Sequence, residues 1–388
     1  MKIVQIIIGL GVGGAEHMLR RLVLAQQVAE PARQCTVISL TSIGPVGKLL
    51  QEAGIPVIAM GLHAPWGFFT GLWRLKKTLE ALKPDVVQTW MVQADLLGGL
   101  AARWAGIRGV IWGIRTTDFG GASRLTRVVR RVCAVLSSWV PHTIVCAAEA
   151  SRRSHVAIGY DDARMVVIPN GFDIQRFCPD ADKKKTLRAQ LGIRPQDHVI
   201  GHVGRWNLAK DHLNFVHAAA RWAAQNDITH VRFLMVGREV DASNDDLAQA
   251  IAESGCAGQF MLLGERSDVP DLLQAMDLFC LSSRTEGFPN VVGEAMATGV
   301  PCVVTDVGDA AMMVGSTGWV VPKEDAEALS AALALATQES RIEREKRAAL
   351  ARMRVVQEFS MERATLRFTQ LQQWVAEKTQ AGVERCVD

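Results

Sequence analysis

The 388-residue sequence contains no apolar run reaching the eighteen or so residues of a membrane span. Its opening, "MKIVQIII", runs directly into a strand with no small-residue cleavage site, so no signal peptide is expected. Cys35, Cys133, Cys146, Cys178, Cys256, Cys280, Cys302 and Cys386 form no C-x-x-C pair, and several fall in apolar strands. That pattern argues against zinc and disulfides and for reduced, buried thiols in the cytosol. There is no repeat at solenoid periods and no low-complexity tract. No RNA- or DNA-binding motif is present, so nucleic acid is not an expected partner.

One sign of charge is scarce in the first half. Residues 1–160 carry 18 Lys+Arg against 8 Asp+Glu, a net +10, whereas the remainder carries 25 against 32, a net −7. A basic half suits a phosphate-bearing ligand or an anionic membrane surface. Hydrophobic content of 49% and charged content of 21% fit a globular chain, and this length favours two domains.

Short β-rich runs alternate with single helical stretches, which indicates parallel sheets covered on both faces. Strands are expected at 2–8, 34–40, 56–60, 85–89, 109–113, 143–147 and 165–168. Helical stretches between them include 15–29, 66–82, 94–105 and 124–138. The stretch "IPNGFDIQRFCPDADKKK" reads as a turn followed by a linker. Alternation then restarts, with strands expected at 198–203, 231–236, 260–262, 278–280 and 301–305. Two consecutive helices end the chain, the last one capped by Ser360.

Gly9, Gly11 and Gly14 satisfy G-x-G-x-x-G after the first strand, the dinucleotide fingerprint. That fingerprint needs a carboxylate at the end of the second strand to bind the ribose. Cys35 to Ser42 holds no Asp or Glu, so the dinucleotide reading fails there. What remains is a helix N-terminus able to approach an anion.

The second half carries more chemistry. In "SSRTEGFPNVVGEAMATG", Glu286 and Glu294 are separated by seven residues, with a turn and a helix start between them. Backbone amides of Gly287 to Val292 would form a helix N-terminus facing the crevice at the carboxyl ends of the strands. Upstream, Arg205 and Lys210 flank a strand–helix loop in "GRWNLAKDH". Two cations there suit a diphosphate and can neutralise charge building on a leaving pyrophosphate.

"GGAE" at 13–16, "VIPNGFD" at 167–173, "GRWNLAKDH" at 204–212 and the 286–309 block resemble, in order, the motifs of family-4 retaining glycosyltransferases. The resemblance implies the GT-B fold: two Rossmann-like α/β domains facing each other across a cleft, with a C-terminal helix returning to the first. The expected domains are 1–178 with the returning helix 360–388 on the acceptor side, and 179–359 on the donor side. It implies Arg205 and Lys210 on the donor pyrophosphate, Glu286 on the transferred sugar, Glu294 on the ribose, and the amides of Gly287, Phe288, Asn290 and Val291 lining the phosphate or sugar site. Gly13 and Gly14 would approach the phosphate from the first domain, and Arg266 would lie past the base. A UDP- or GDP-sugar donor, no metal and no other cofactor are implied. Many members place a His after the fifth strand, where this sequence has Arg115 and Asp118; these and Gln93 are acceptor-side candidates.

The implied activity is retaining hexosyl transfer to a glycan or a polyprenyl- or lipid-linked acceptor in surface polysaccharide or lipopolysaccharide synthesis. Two alternatives use the same scaffold: a nucleotide-sugar epimerase or phosphorylase, and a non-catalytic sugar-nucleotide binding protein. Two first-half helices bear on the acceptor. One mixes Trp66, Phe68, Phe69 and Trp73 with Arg74, Lys76 and Lys77; the other sets Arg124, Arg127, Arg130 and Arg131 beside an apolar face. Both suit an anionic membrane, giving a cytoplasmic protein peripheral to the inner face of the plasma membrane. In the competing reading the aromatic stripes are core and the basic faces are solvated.

Overall fold

The computed structural model describes residues 1–62, 68–117 and 123–384. Trp66, Asp118 and Cys386 lie outside them. The strands are β1 (Lys2–Ile7), β2 (Gln34–Ser39), β3 (Val57–Ala59), β4 (Val86–Trp90), β5 (Val110–Ile114), β6 (Thr143–Cys146) and β7 (Met165–Val167), then β8 (His198–Val203), β9 (Val231–Val236), β10 (Phe260–Leu262), β11 (Leu278–Leu281), β12 (Cys302–Thr305) and β13 (Trp319–Val321). The helices are α1 (Gly14–Ala29), α2 (Gly44–Glu52), α3 (Phe68–Leu82), α4 (Val92–Trp104), α5 (Arg124–Leu136), α6 (Glu149–Val156), α7 (Ala181–Gln190), α8 (His212–Ala223), α9 (Asp245–Glu253), α10 (Val269–Ala275), α11 (Asn290–Ala297), α12 (Ala310–Val314), α13 (Ala326–Gln338), α14 (Arg341–Glu358) and α15 (Met361–Glu384).

All pairings within both sheets are parallel. The first sheet runs β3-β2-β1-β4-β5-β6-β7 and the second β10-β9-β8-β11-β12-β13. Strand order reverses between β1 and β4, and again between β8 and β11. Open α/β sheets bind ligands at such reversals, beyond the carboxyl ends of the strands. Both sheets are buried, as near-continuous apolar runs such as "VIWGI" of β5 require.

The chain divides into Met1–Gly171 together with the terminal stretch from Met361, and Phe172–Ser360. The division precedes the expected residue 178 because Phe172 belongs to the second unit. Its N–H donates to the Phe359 carbonyl at 2.8 Å, and its ring stacks on Phe288 at 6.0 Å. The lysine-rich stretch expected as a linker is folded as α7. Asp180 caps it by accepting from Lys183 N at 2.9 Å, Leu187 is buried, and Lys184 and Arg188 both pair with Asp277. Strand β13 is not among the strands expected from the sequence.

The helix α15 belongs to the first unit. Its buried Gln372 accepts from Gln26 at 2.9 Å and Arg33 at 2.6 Å, and donates to Gln88 of β4 at 2.7 Å. Phe368 stacks on Trp90 at 6.2 Å. Gln372 is thus the shared partner of three buried polar groups. Gln372→Leu is expected to cost about 2 kcal/mol by orphaning Arg33 Nη1 and Gln88 Oε1, while Gln26 keeps Thr369 Oγ1 at 3.0 Å, read as a lowered urea midpoint; an unchanged midpoint would show that they find other partners.

The second unit carries buried neutral histidines. Burial pushes His198 and His212 down to about 4, and burial together with the neighbouring His212 holds His202 well below the usual imidazole range. Each folded-state pKa lies below the unfolded value, so protons favour the unfolded chain. Stability is therefore complete above about pH 6.5 and falls as pH drops toward about 4. Denaturant midpoints at pH 7.5 and 4.5 check this; equal values would contradict it.

Candidate active site

The loops after β8 and β11, neighbours at the second reversal, hold the candidate residues Arg205, Lys210 and Glu286. Lys210 closes the first loop and Glu286 lies in the second. Lys210 Nζ stands 2.6 Å from Glu286 Oε1, and Ser283 Oγ donates to the same oxygen at 2.7 Å. Both partners converge on Oε1, and no partner of Oε2 is found among the described residues. The side chains are 24% and 11% exposed, so the pair is recessed yet reachable. Arg205 is exposed at the start of the same loop.

The pair is fixed by backbone geometry. Asp211, next to Lys210, has φ 48° and ψ 54°, a left-handed conformation costly for a residue with a Cβ. Its carboxylate is gripped by Arg284, with Nε at 2.8 Å from Oδ2 and Nη2 at 3.3 Å from Oδ1. The third nitrogen of Arg284 reaches Glu324 Oε1 at 3.1 Å, and Glu324 is itself left-handed with φ 57°. Ser282 Oγ donates to the carbonyl of Asp211 at 2.9 Å, and His202 Nε2 lies 3.1 Å from that hydroxyl. One guanidinium therefore ties together loops after β8, β11 and β13. Arg284, Asp211, Ser282 and Ser283 were not singled out in the sequence; a positive φ on Asp leaves no mark there.

The Glu286 loop is held from two sides. Gly308, at φ +58°, lies so close that an added Cβ would sit 2.4 Å from the Gly287 carbonyl oxygen. Asp309 N donates to that carbonyl at 2.9 Å. On the other side Phe172 packs on Gly293 of α11, where a Cβ would meet the ring at 2.1 Å. The Asn-Gly-Phe-Asp motif thus seats the helix that carries Glu294. Glu294 lies half-buried one turn into α11. Gly287 and Phe288 precede that helix, and Asn290 and Val291 open it, where N–H groups have no intrahelical acceptor. The Phe288 ring itself is core, stacked on Phe172 and edge-on to Phe359 at 5.8 Å.

Other predicted residues are placed differently. Arg266 forms a two-bond pair with Asp268 at 2.8 and 2.6 Å, so its guanidinium is held locally. Arg115 follows β5 with its guanidinium 4.3 Å from the Trp90 ring centroid, 5.4 Å from that of Phe368, and bonded to Asn170 Oδ1 at 3.1 Å. Burial lowers its pKa to about 10, which leaves it charged at neutral pH. Its neighbour Asp95 is pushed up to about 7 by burial, against bonds from Thr89 and the Gly113 N–H. Arg115 is therefore integral to the first unit's packing. Gln93 is half-buried in the first turn of α4, just after Met91, whose φ is 73°. Gly13 caps α1 in an extended conformation and Gly14 begins it. None of Gly9, Gly11, Gly13 or Gly14 has a positive φ, so the dinucleotide-like spacing reflects no left-handed turn. Asp180 and Asp182 form an Asp-x-Asp triplet with Ala181, but Asp180 is the cap of α7.

Comparison with known proteins fits this geometry. Residues 12–176 match the family model described as Glycosyltransferase Family 4, and residues 197–338 that described as Glycosyl transferases group 1. The chain is 28% identical over 269 residues to the Escherichia coli UDP-Gal:alpha-D-GlcNAc-diphosphoundecaprenol alpha-1,3-galactosyltransferase, covering 68% of this chain and 69% of that one. It is 34% identical over 184 residues to the lipopolysaccharide core biosynthesis mannosyltransferase LpsB of Rhizobium meliloti (strain 1021), covering 44% of this chain and half of that protein. The crystal structure of Anabaena Alr3699/HepE in complex with UDP superposes with a TM-score of 0.81 at 23% identity, covering 98% of this chain and 100% of that one. Two family models, one on each unit, together with two parallel sheets of reversing strand order, show that the chain belongs to the group 1 and family 4 glycosyltransferases of GT-B fold.

Proposed function

We propose that the chain transfers a hexosyl group, with retention of anomeric configuration, from a nucleotide sugar to a lipid-linked glycan acceptor in surface polysaccharide or lipopolysaccharide assembly. The observation that carries the reading is the Lys210–Glu286 pair beside an exposed Arg205 at the second reversal of strand order. The names of the Escherichia coli and Rhizobium relatives support the acceptor class. A lipid-linked acceptor places the reaction at a membrane surface, and contact with that surface from the cytoplasmic side belongs to the same proposal.

Lysine has three N–H donors, and one is engaged by Glu286. The other two can take diphosphate oxygens, while Arg205 offers a planar fork to the same group. Lys210 then links the departing diphosphate to the carboxylate that holds the sugar. Glu286 Oε2 accepts from a sugar hydroxyl. Glu294 accepts from the ribose diol, and the amides at the start of α11 face phosphate or sugar oxygens. As the sugar–phosphate bond breaks, negative charge grows on the leaving oxygen beside Arg205 and Lys210. That oxygen takes the acceptor's hydroxyl proton as the new glycosidic bond forms on the same face. No protein nucleophile and no metal is needed for this sequence of events.

Turnover with a panel of nucleotide sugars and polyprenyl-diphosphate-linked saccharides tests the reading. Glu286→Gln and Lys210→Ala are each expected to lower kcat by about a hundred- to a thousandfold, and Glu294→Gln to raise the donor KM chiefly. Full turnover by Glu286→Gln on the true donor would remove Glu286 from the site. Arg284→Ala is expected to lower kcat by about tenfold with Arg284→Lys restoring part of it, as loss of a positioning residue does. An Arg284→Ala enzyme with unaltered kcat would mean that Asp211 holds its conformation unaided.

A further inference from the structure

Helix α5 reverses the ordinary arrangement of a surface helix. Its buried residues are Cys133 and Ala134. Leu125, Val128, Val132 and Val135 are 62%, 56%, 40% and 79% exposed. Steps of three and four residues put them on one stripe. Trp139, just beyond the helix, extends it and is 58% exposed. Arg124, Arg127 and Arg131 are exposed beside the stripe, and no Asp or Glu occurs from residue 119 to residue 148. An apolar stripe on water, flanked by cations of one sign, is unfavourable for a helix that stays in solution.

The neighbouring surface continues the pattern. Trp73 of α3 and Trp104 of α4 are about half exposed. A groove of about 470 Å³ lies between Trp104 and Trp139, floored by Leu72, Leu100 and Ile107, and Arg103 and Arg108 also line it. Arg103 stands 5.8 Å from the Trp139 ring centroid, and Lys76 stands 5.4 Å from that of Trp104. Burial and the nearby Arg108 and Arg164 lower the Arg103 pKa, so cations crowd this corner. The helix α3 is thus two-sided: Leu75 and Leu79 form its core side, while its aromatic Phe69 and Trp73 face outward.

We propose that this face of the first unit, the α5 stripe together with the Trp104–Trp139 groove, docks on a bilayer rich in anionic phospholipid. The helix α5 lies in the headgroup layer, its leucine and valines reach the acyl boundary, and Arg124, Arg127 and Arg131 meet lipid phosphates. Charge complementarity selects this occupant. A second copy of the chain would bring like charges together, and a nucleic acid would leave the aliphatic stripe uncovered. The inference takes its purpose from the proposed lipid-linked acceptor, but its observations lie in exposure and charge of the first unit alone.

Flotation of the full chain with phosphatidylcholine vesicles, with and without phosphatidylglycerol, tests it without any sugar substrate. The chain is expected to partition about tenfold or more in favour of the anionic vesicles, and high salt to weaken binding. Val128→Asp with Val135→Asp, and separately Arg124→Gln with Arg127→Gln and Arg131→Gln, are expected to lose that binding by about tenfold. These exposed substitutions leave circular dichroism and turnover on a short, soluble acceptor as in the parent. Equal partition to both vesicles, or variants that bind like the parent, would overturn the docking surface. So would a concentration-dependent dimer abolished by the same variants in a chain that ignores vesicles. Loss of turnover with intact vesicle binding would instead count against the proposed transfer reaction alone.

Discussion

The 2.6 Å contact between Lys210 and Glu286 is the interaction around which the second unit is organised. Two oppositely charged groups from different loops meet there in a recess, and neither loop can be placed independently. The first is set by Asp211 in a left-handed conformation that Arg284 holds with two bonds. The second is set by the close approach of Gly308 to the backbone at 286–287 and by the Phe172 ring filling the space over Gly293. Deeper still, Ser282 and the His202 and His212 rings, 4.5 Å apart and tilted at 54°, tie the loop to β8. Strain in one residue, a carboxylate, a guanidinium and two glycines all serve one ion pair. In the proposed reaction, a pair so supported pays little reorganisation when a diphosphate arrives, which is the condition for strong electrostatic stabilisation of a leaving group.

The first unit is built by the same topology for different work. Its cations are of two kinds. Arg115 is drawn into the packing between Trp90 and Phe368, with Asp95 and Asn170 near it, while those of α5 remain in solvent beside apolar side chains. The excess of positive charge in residues 1–160 therefore does not mark one site. Part of it stabilises the carboxyl end of the first sheet, and part forms an amphipathic surface. The polar core contact made by Gln372 of α15 gives this unit its last structural element from the far end of the sequence.

Much of this was legible in the sequence because its signals are local. Near-continuous apolar runs separated by single helices gave the strands 198–203, 231–236 and 260–262 with the observed bounds, and two parallel sheets with them. The spacing of Glu286 and Glu294 across a turn and a helix start was equally readable. What escaped depends on three dimensions. Asp211 and Arg284 are 73 residues apart, and nothing in either neighbourhood announces a left-handed backbone. The Asn-Gly-Phe-Asp turn reads as punctuation in the sequence, yet Phe172 is a packing element for α11. The polar lysine run reads as a linker in the sequence, although Asp180 caps it and Asp277 anchors it as a helix. In α5 the periodicity showed an apolar stripe, but which side faces water depends on neighbours that one helix cannot reveal. The glycines at 9–14 matched a fingerprint by spacing alone, and none of them needs a left-handed φ.

In the proposed reaction the loops after β8 and β11 hold a sugar nucleotide by its diphosphate. Titration calorimetry with UDP, UMP and uridine measures that directly. Affinity is expected to rise with each phosphate, UDP binding at least about tenfold more tightly than uridine, and Arg205→Ala is expected to erase most of that margin. Equal affinity for uridine and UDP, or an unchanged margin in Arg205→Ala, would contradict it.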